Sequence, residues 1–419
     1  MSLLLLPNNI NWQDKRLSHI SIDDAKLVVS ILYQITLSKK KLEEDDKYWF
    51  EIEISSQKWI KLLGKFYNVV LTALQDANII GRSKFYRIST ENQTGKSKSH
   101  WLCEPYRNVE VEKRTICEIS YANERRFRTF EHNIFLSQYN AIEKTTQIPF
   151  SVYDKLRKNV QKNLIIEIED FEIERLKHIP TKKGNIEQRL GIIDENIIYM
   201  YKNKITPNVS IGVEGQRFFS PLTQIYRMVR PYFRTAKNEH LIEHDIVSSQ
   251  PIFVWTGCVS TYGNTNDTDL WKSYLENGTL YEYFMKELNI HNRDFFKSAF
   301  WFKALYGPVK RNNKLWIIIT KTFPTIAKYM LTMKSGYTTN KELYKKFVID
   351  AQIRESTFVL GCVCRNLFSE HRDIPLYTIH DSILTTKEYS QDVIQMLISE
   401  FGKLNIRPMI KTKVYEDMI

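Results

Sequence analysis

Apolar residues along the chain recur either at helical spacing or in short runs that read as strands. Ser21, followed by Asp23 and Asp24, makes a capped helix start, and apolar positions then recur through Leu37. A strand-like stretch follows at Tyr48–Ile54. Ser55–Leu63 and Lys65–Leu74 read as two helices broken at Gly64. Alternation around Phe85–Ile88 predicts a strand, Thr90–Ser99 a polar loop with Lys96 and Lys98, and His100–Cys103 a second strand. From about 120 to 210 the pattern is helical and rich in both charge signs, with a basic knot at Arg125, Arg126 and Arg128 and a loop at Thr181–Gly184. No internal repeat and no long low-complexity tract occurs.

Helix, strand, helix, helix, hairpin is the order of a winged helix, expected here over residues 1–120. Lys58, Lys61 and Lys65 beside a basic wing would suit DNA. A small packing domain inside a larger enzyme is the other reading. The charged helical stretch that follows is a solvated face or an arm gripping a duplex.

Composition narrows the partners. The 419 residues carry 60 Lys+Arg against 48 Asp+Glu, a net charge of +12 that no single tail holds. A diffuse basic excess suits a long polyanion, because each neutralised phosphate releases counterions. The five cysteines are odd in number and form no Cys-x-x-Cys pair, so neither a disulfide framework nor a zinc site is expected. Leu3–Leu6 lacks a basic flank and ends at Pro7, and no apolar stretch reaches the length of a membrane span. A soluble cytoplasmic protein is expected.

Three short segments carry the chemistry. In His240–Pro251 an apolar strand-like approach reaches Asp245, and small polar residues then turn the chain into a helix. A carboxylate at such a strand end is a natural metal ligand, although such an Asp taken alone is more often a cap or turn residue. In Arg293–Gly307, Arg293, Lys297 and Trp301 are spaced four apart and share a helix face. Two cations and an aromatic there could hold a triphosphate and stack on its base, and a basic amphipathic helix is the plainer alternative. In Asp373–Thr385, His380-Asp381-Ser382 sits between two apolar strands. An acid buried at that hairpin tip needs a partner, and a divalent cation would serve.

In this order the three segments resemble motifs A, B and C of the family A polymerases, which include bacterial and phage DNA polymerases and single-subunit phage-type RNA polymerases. The resemblance implies metal-binding acids at Asp245 and Asp381, with the backbone of Ile246 completing the coordination of two Mg²⁺ ions, for which Mn²⁺ could substitute. Arg293 and Lys297 would clamp phosphates. Trp301, Tyr306 and Gly307 would serve the incoming nucleotide, and His380 the primer end. Flanking segments agree: Gly215-Gln216-Arg217 with Ser220, Arg227 and Arg230; Phe323-Pro324 through Met330; Ala351-Gln352, opening a helix; and a final strand across Ile406–Tyr415. Arg217, Arg230 and Gln352 would thus touch the nucleic acid. The resemblance covers roughly residues 211–419.

It implies an α+β fold: a polymerase right hand with an antiparallel-sheet palm and helical fingers and thumb, preceded by the winged-helix-like segment. The domains would be 1–120, a helical thumb-like region over 121–210, and palm with reduced fingers over 211–419. The implied activity is template-directed nucleotidyl transfer by a compact DNA polymerase or replication protein, of the kind a mobile element carries. Its partners would be a DNA primer-template duplex, nucleoside triphosphates and replication proteins, with no membrane.

Three departures bear on this. Tyr306 falls one residue beyond the family spacing from Lys297, which a π-bulge would restore. Gln250 stands where DNA enzymes carry a Glu against the sugar 2′ position, whereas Ser382 matches the RNA enzymes. No proofreading signature occurs in the first 210 residues. A primase or RNA polymerase of the same superfamily therefore stands as an alternative, as does a non-catalytic DNA-binding initiator with a degenerate palm.

Overall fold

A computed structural model describes residues 3–39, 50–83, 98–107, 109, 114–118, 121–177, 192–205, 207–300, 307, 309, 313–334 and 343–418. It is a mixed α+β chain in which helices predominate and the sheets are small and antiparallel. Two compact units form. One comprises Met1–Ser137, Ile165–Val209 and Gln224–Tyr232, the other Gln138–Leu164, Ser210–Thr223 and Phe233–Ile419.

In the first unit, helix α1 (Ile22–Lys39) is followed by strand β1 (Ile52–Glu53), helices α2 (Ser56–Leu63) and α3 (Tyr67–Asp76), and strands β2 (Ile80–Arg82) and β3 (Ser99–Leu102). The strands pair in the order β1-β3-β2, with Ile52 opposite His100 and Ile80 opposite Leu102. Ser55 caps α2 by accepting from the Lys58 amide, and Gly64, at φ +77°, ends it as the expected break. Trp59, Leu62 and Leu63 of α2 and Val70, Leu71 and Leu74 of α3 turn inward onto Val28, Ile31 and Leu32 of α1.

The strand expected at Phe85–Ile88 and most of the polar loop lie outside the described residues. One difference from the sequence expectation is Ile80–Arg82, a strand that the pattern did not suggest. Gly81 is required in it, since a Cβ there would lie 2.1 Å from the indole of Trp101 on the neighbouring strand. Only glycine lets that indole lie across the sheet.

In the second unit, β4 (Ser210–Gly212) and β5 (Arg217–Phe219) form a hairpin. Strand β6 (Ile242–Ile246) then leads into α4 (Ser249–Tyr262), through Ser248 at φ +60°. Helices α5 (Arg293–Phe300), α6 (Pro324–Met333) and α7 (Leu343–Ser356) follow, and a π-helical stretch, Thr357–Cys364, extends α7. The chain closes with β7 (Tyr377–Ile379), β8 (Ser382–Thr385), α8 (Ser390–Lys403) and β9 (Ile410–Val414). The order is β7-β8-β6-β9, all antiparallel.

One side of this sheet is sealed by α8, whose Val393, Leu397 and Phe401 recur at i, i+4 and i+8 and are fully buried. His244, also buried, bridges Ser390 of α8 (3.0 Å) and Thr412 of β9 (3.1 Å). Burial holds its imidazole down at about 4, so it stays neutral in the wall. Helix α4 packs against α6 and α7. Ala351 and Gln352 lie inside α7, not at its start, because the helix already begins at Leu343.

Candidate active site

The site is built where β6 meets the β7–β8 hairpin. The two strands of that hairpin join through only His380 and Asp381, since Ile379 pairs directly with Ser382. His380 takes φ +55°, a left-handed conformation that so tight a corner demands. Its ring stands edge-on to Phe219 of β5, centroids 5.6 Å apart.

Asp245 is the register partner of Ser382 across the sheet. Ser382 donates its hydroxyl to Asp245 Oδ1 at 2.8 Å, and the Ile246 amide donates to the Asp381 carbonyl at 3.4 Å. The two sequence-predicted acids are therefore side by side on adjoining segments, which the Ile246 amide links.

A third carboxylate, which the sequence reading did not single out, stands behind this pair. Glu355 on α7 is only 1% exposed. Its Oε1 accepts from Arg217 Nη2 at 2.5 Å, and its Oε2 accepts from Ser249 Oγ at 2.9 Å and Gln250 Nε2 at 2.5 Å. Three elements are thereby tied to one side chain: β5 through Arg217, the first turn of α4 through Ser249 and Gln250, and α7 itself. The sequence does carry a signal for it. Glu355 falls four residues after Ala351 and three before Phe358, both buried, so it is an acid on an apolar helix face.

The electrostatics follow. Asp381 keeps part of its surface exposed, yet protein surrounds it closely enough that burial is the largest influence on its carboxyl. Burial, then Glu355, then Asp245 raise it from the usual carboxylate value of 3.8 to about 7; Arg217 opposes them. Two carboxylates and one guanidinium thus act on Asp381. A divalent cation between Asp245 and Asp381 would relieve that excess, so the donor set fits one. Among the described residues, no three His, Cys, Asp or Glu side chains converge as a metal cage.

The loop ahead of Arg217 is clamped from several sides. Ser356 Oγ donates to the Gly215 carbonyl (2.8 Å), and Tyr153 Oη donates to the Gln216 carbonyl (2.5 Å). Gln352 lies against Gly215, where an added Cβ would meet its Oε1 at 2.8 Å. Gln352 thus touches the loop that carries Arg217.

On α5, Phe296 and Phe300 are buried against Tyr281 and Phe284, which leaves Arg293 and Lys297 exposed on a common flank. Arg293 is not idle there. Its Nε donates to Glu282 Oε1 at 2.7 Å, and its guanidinium lies 5.7 Å from the Tyr281 ring. Trp301 and Tyr306 lie outside the described residues, as does any π-bulge between them. Gly307 is described, and its carbonyl accepts from the buried Lys334 amine at 2.9 Å. Arg230 belongs to the first unit, in a short 3-10 turn, Arg230–Tyr232.

Also in the first unit, Lys61 and Lys65 are exposed, whereas Lys58 is half-buried and burial lowers its amine from the ordinary lysine value. The side chains of Arg125 and Arg126 lie outside the described residues, and Arg128 is exposed. No described helix is long and apolar enough to cross a membrane.

No protein-family profile matches the chain, and no curated protein sequence is similar to it. One solved structure with some likeness is the POL domain of Pol1 from M. smegmatis in complex with DNA primer-template and dNTP. The two share 10% identity at a TM-score of 0.37, over 68% of this chain and 63% of that one. The chain therefore spans less than two thirds of that domain, and a likeness this slight bears on neither fold nor activity.

Proposed function

We propose that this chain is a single-subunit nucleotidyltransferase that extends DNA on a template, with Asp245 and Asp381 as its metal-holding acids. The observation that carries the reading is their adjacency: Asp245 bonded to Ser382, and Asp381 beside it with its charge opposed by burial, Glu355 and Asp245. In this reading the β7-β8-β6-β9 sheet is a palm, α5 and its neighbours are reduced fingers, and 121–210 is a helical thumb-like region.

Two Mg²⁺ ions, when bound, would lower the pKa of a primer 3′-hydroxyl and neutralise the departing pyrophosphate. Asp245 and Asp381 would hold them, with the Ile246 carbonyl as a further oxygen donor. Arg293 and Lys297 receive the triphosphate, which requires Arg293 to exchange Glu282 for phosphate. Such a swap is cheap, because an exposed ion pair of this kind contributes only about 0–1 kcal/mol. Trp301, Tyr306 and Gly307 form the rest of the nucleotide seat, and His380 lies at the primer end. Gln250, held by Glu355, faces the sugar. Arg217, Arg230 and Gln352 grip template or primer backbone, which positions the duplex without reading it.

The order α1-β1-α2-α3-β2-β3 and the sheet order β1-β3-β2 support reading residues 1–120 as a winged helix. In this proposal that domain recruits the enzyme to DNA in the cytoplasm, alongside replication proteins.

Extension of a labelled primer-template in Mg²⁺ tests the reading, comparing dNTPs with rNTPs and including the Asp381→Ala protein. Extension with dNTPs that the substitution abolishes is the expected result. Extension with rNTPs alone would reassign the chain to a primase or RNA polymerase. Absence of incorporation, with duplex binding intact, would leave a DNA-binding initiator.

A further inference from the structure

The exposed face of α3 has a composition that grip alone does not require. Asn68, Thr72 and Gln75 are exposed at i, i+4 and i+7, so they form one stripe along the helix. Val69, 43% exposed, lies beside it, and Phe66, 78% exposed, stands just ahead of the helix. The opposite face, with Val70, Leu71 and Leu74, is the one committed to the core.

Two lysines flank this stripe and one arginine reaches it. Lys61 and Lys65 are exposed just before α3, and Arg82 of β2 reaches it directly, its Nη2 donating to Asn68 Oδ1 at 3.0 Å. The carboxylate of the helix, Asp76, is at the far end, where the Arg16 guanidinium donates to its backbone carbonyl at 2.6 Å. A polyanion can therefore approach the front of the helix against positive charge, within a chain of net charge +12.

The side chains on the stripe have defined meanings at base edges. Asn and Gln make bidentate pairs with adenine N6 and N7, and Val and the Thr methyl pack on the thymine methyl. Guanine is read chiefly by Arg or Lys, and cytosine by an acid. The Arg82 bond also orients the Asn68 amide: Oδ1 is engaged and keeps a second lone pair, while Nδ2 is left as a donor. That is the donor-plus-acceptor pair an adenine edge needs.

We propose that α3 lies in the major groove of duplex DNA and reads a short A·T-rich sequence through Asn68, Thr72 and Gln75, with Val69 on a thymine methyl. This rests on the winged-helix reading above and goes beyond it, because it makes the first unit a sequence reader. Lys61 and Lys65 supply phosphate contacts that carry no sequence information.

The test is selection of duplexes from a random pool by the full-length protein, followed by fluorescence anisotropy on the selected and a scrambled G·C-rich duplex at fixed salt. An enriched A·T-containing core of a few base pairs is expected. The Asn68→Ala/Gln75→Ala protein should lose roughly tenfold or more in affinity for the selected site while its affinity for the scrambled one is unchanged. The Lys61→Ala/Lys65→Ala protein should weaken on both duplexes alike and show a shallower salt slope. All four positions are exposed, and matching circular dichroism would exclude unfolding as a cause. Duplex binding without sequence preference would overturn the proposal and leave the winged-helix reading standing. A preference that the Asn68/Gln75 substitutions do not move would also overturn it. Failure to bind any duplex, with binding of a protein partner by α3 instead, would overturn both.

Discussion

Ser382 donates its hydroxyl to Asp245 across paired strands at 2.8 Å, so the residue that follows one acid of the site orients the other. The bond ends on a charged acceptor within a buried stretch of sheet. Removing it should cost about 1.5–3 kcal/mol in stability. We expect the Ser382→Ala protein to melt at lower temperature and to incorporate nucleotides about tenfold more slowly, as Asp245 loses its fixed rotamer. Calorimetry and single-turnover extension together check this. Wild-type values in both would mean that the bond positions nothing.

Asp381 sets a pH dependence with a definite sign. Its carboxyl is raised in the folded chain to about 7 from 3.8, so the folded state binds the proton more tightly than the unfolded one. Its contribution to stability is complete below about 3.8 and is lost as pH rises through about 7. In chelator, the Asp381→Asn protein should gain stability over wild type at pH 8 and much less at pH 4.5. Urea melts at the two pH values measure the difference. Mg²⁺ should reverse the ranking at pH 8, since the cation stabilises only the chain that can hold it. An advantage for Asn that does not vary with pH would show that Asp381 is not raised.

Much of this was legible beforehand, for physical reasons. The helix pair α2 and α3 was visible because apolar spacing repeats on either side of Gly64, whose positive φ is a local property. The hairpin at His380-Asp381 was visible because two apolar runs bracket a polar pair. Strand β2 was not, because Gly81 and Arg82 interrupt the apolar alternation, and its partners His100 to Leu102 come much later in the chain. Glu355 was passed over because what makes it central is the convergence of Arg217, Ser249 and Gln250, residues far from it in the chain. Periodicity cannot report such convergence. The Arg293–Glu282 pair was hidden for the same reason.

Glu355 should be costly to lose and tolerable to neutralise. In the Glu355→Ala protein the Arg217 guanidinium, mostly buried, would keep its charge without its carboxylate, and Ser249 and Gln250 would lose their acceptor. Breaking a buried pair from one side costs about 3–5 kcal/mol. Glu355→Gln keeps an acceptor oxygen and the volume, so it should cost less. It also removes one of the influences raising Asp381, whose pH transition should move down. Chemical denaturation of both variants checks the ranking, and equal stability for Ala and Gln would contradict it.

Lys334 offers the opposite sign. It is 4% exposed at the end of α6, donates to the Gly307 carbonyl, and lies 5.0 Å from the Phe347 ring. Burial lowers its amine from 10.5 to about 7. The folded state thus binds the proton less tightly than the unfolded one, and stability should rise as pH climbs from about 7 towards 10.5. Methionine at this position fills similar volume with no charge to bury, but it cannot bond Gly307. Lys334→Met should therefore be neutral or stabilising at pH 6. At pH 10, where the wild-type amine is neutral in the folded chain, it should cost about 1 kcal/mol, the usual net worth of a hydrogen bond. Urea melts of both proteins at the two pH values would show the curves crossing. Parallel curves would mean that the amine keeps its charge, held by Gly307 and Phe347 strongly enough to outweigh its burial.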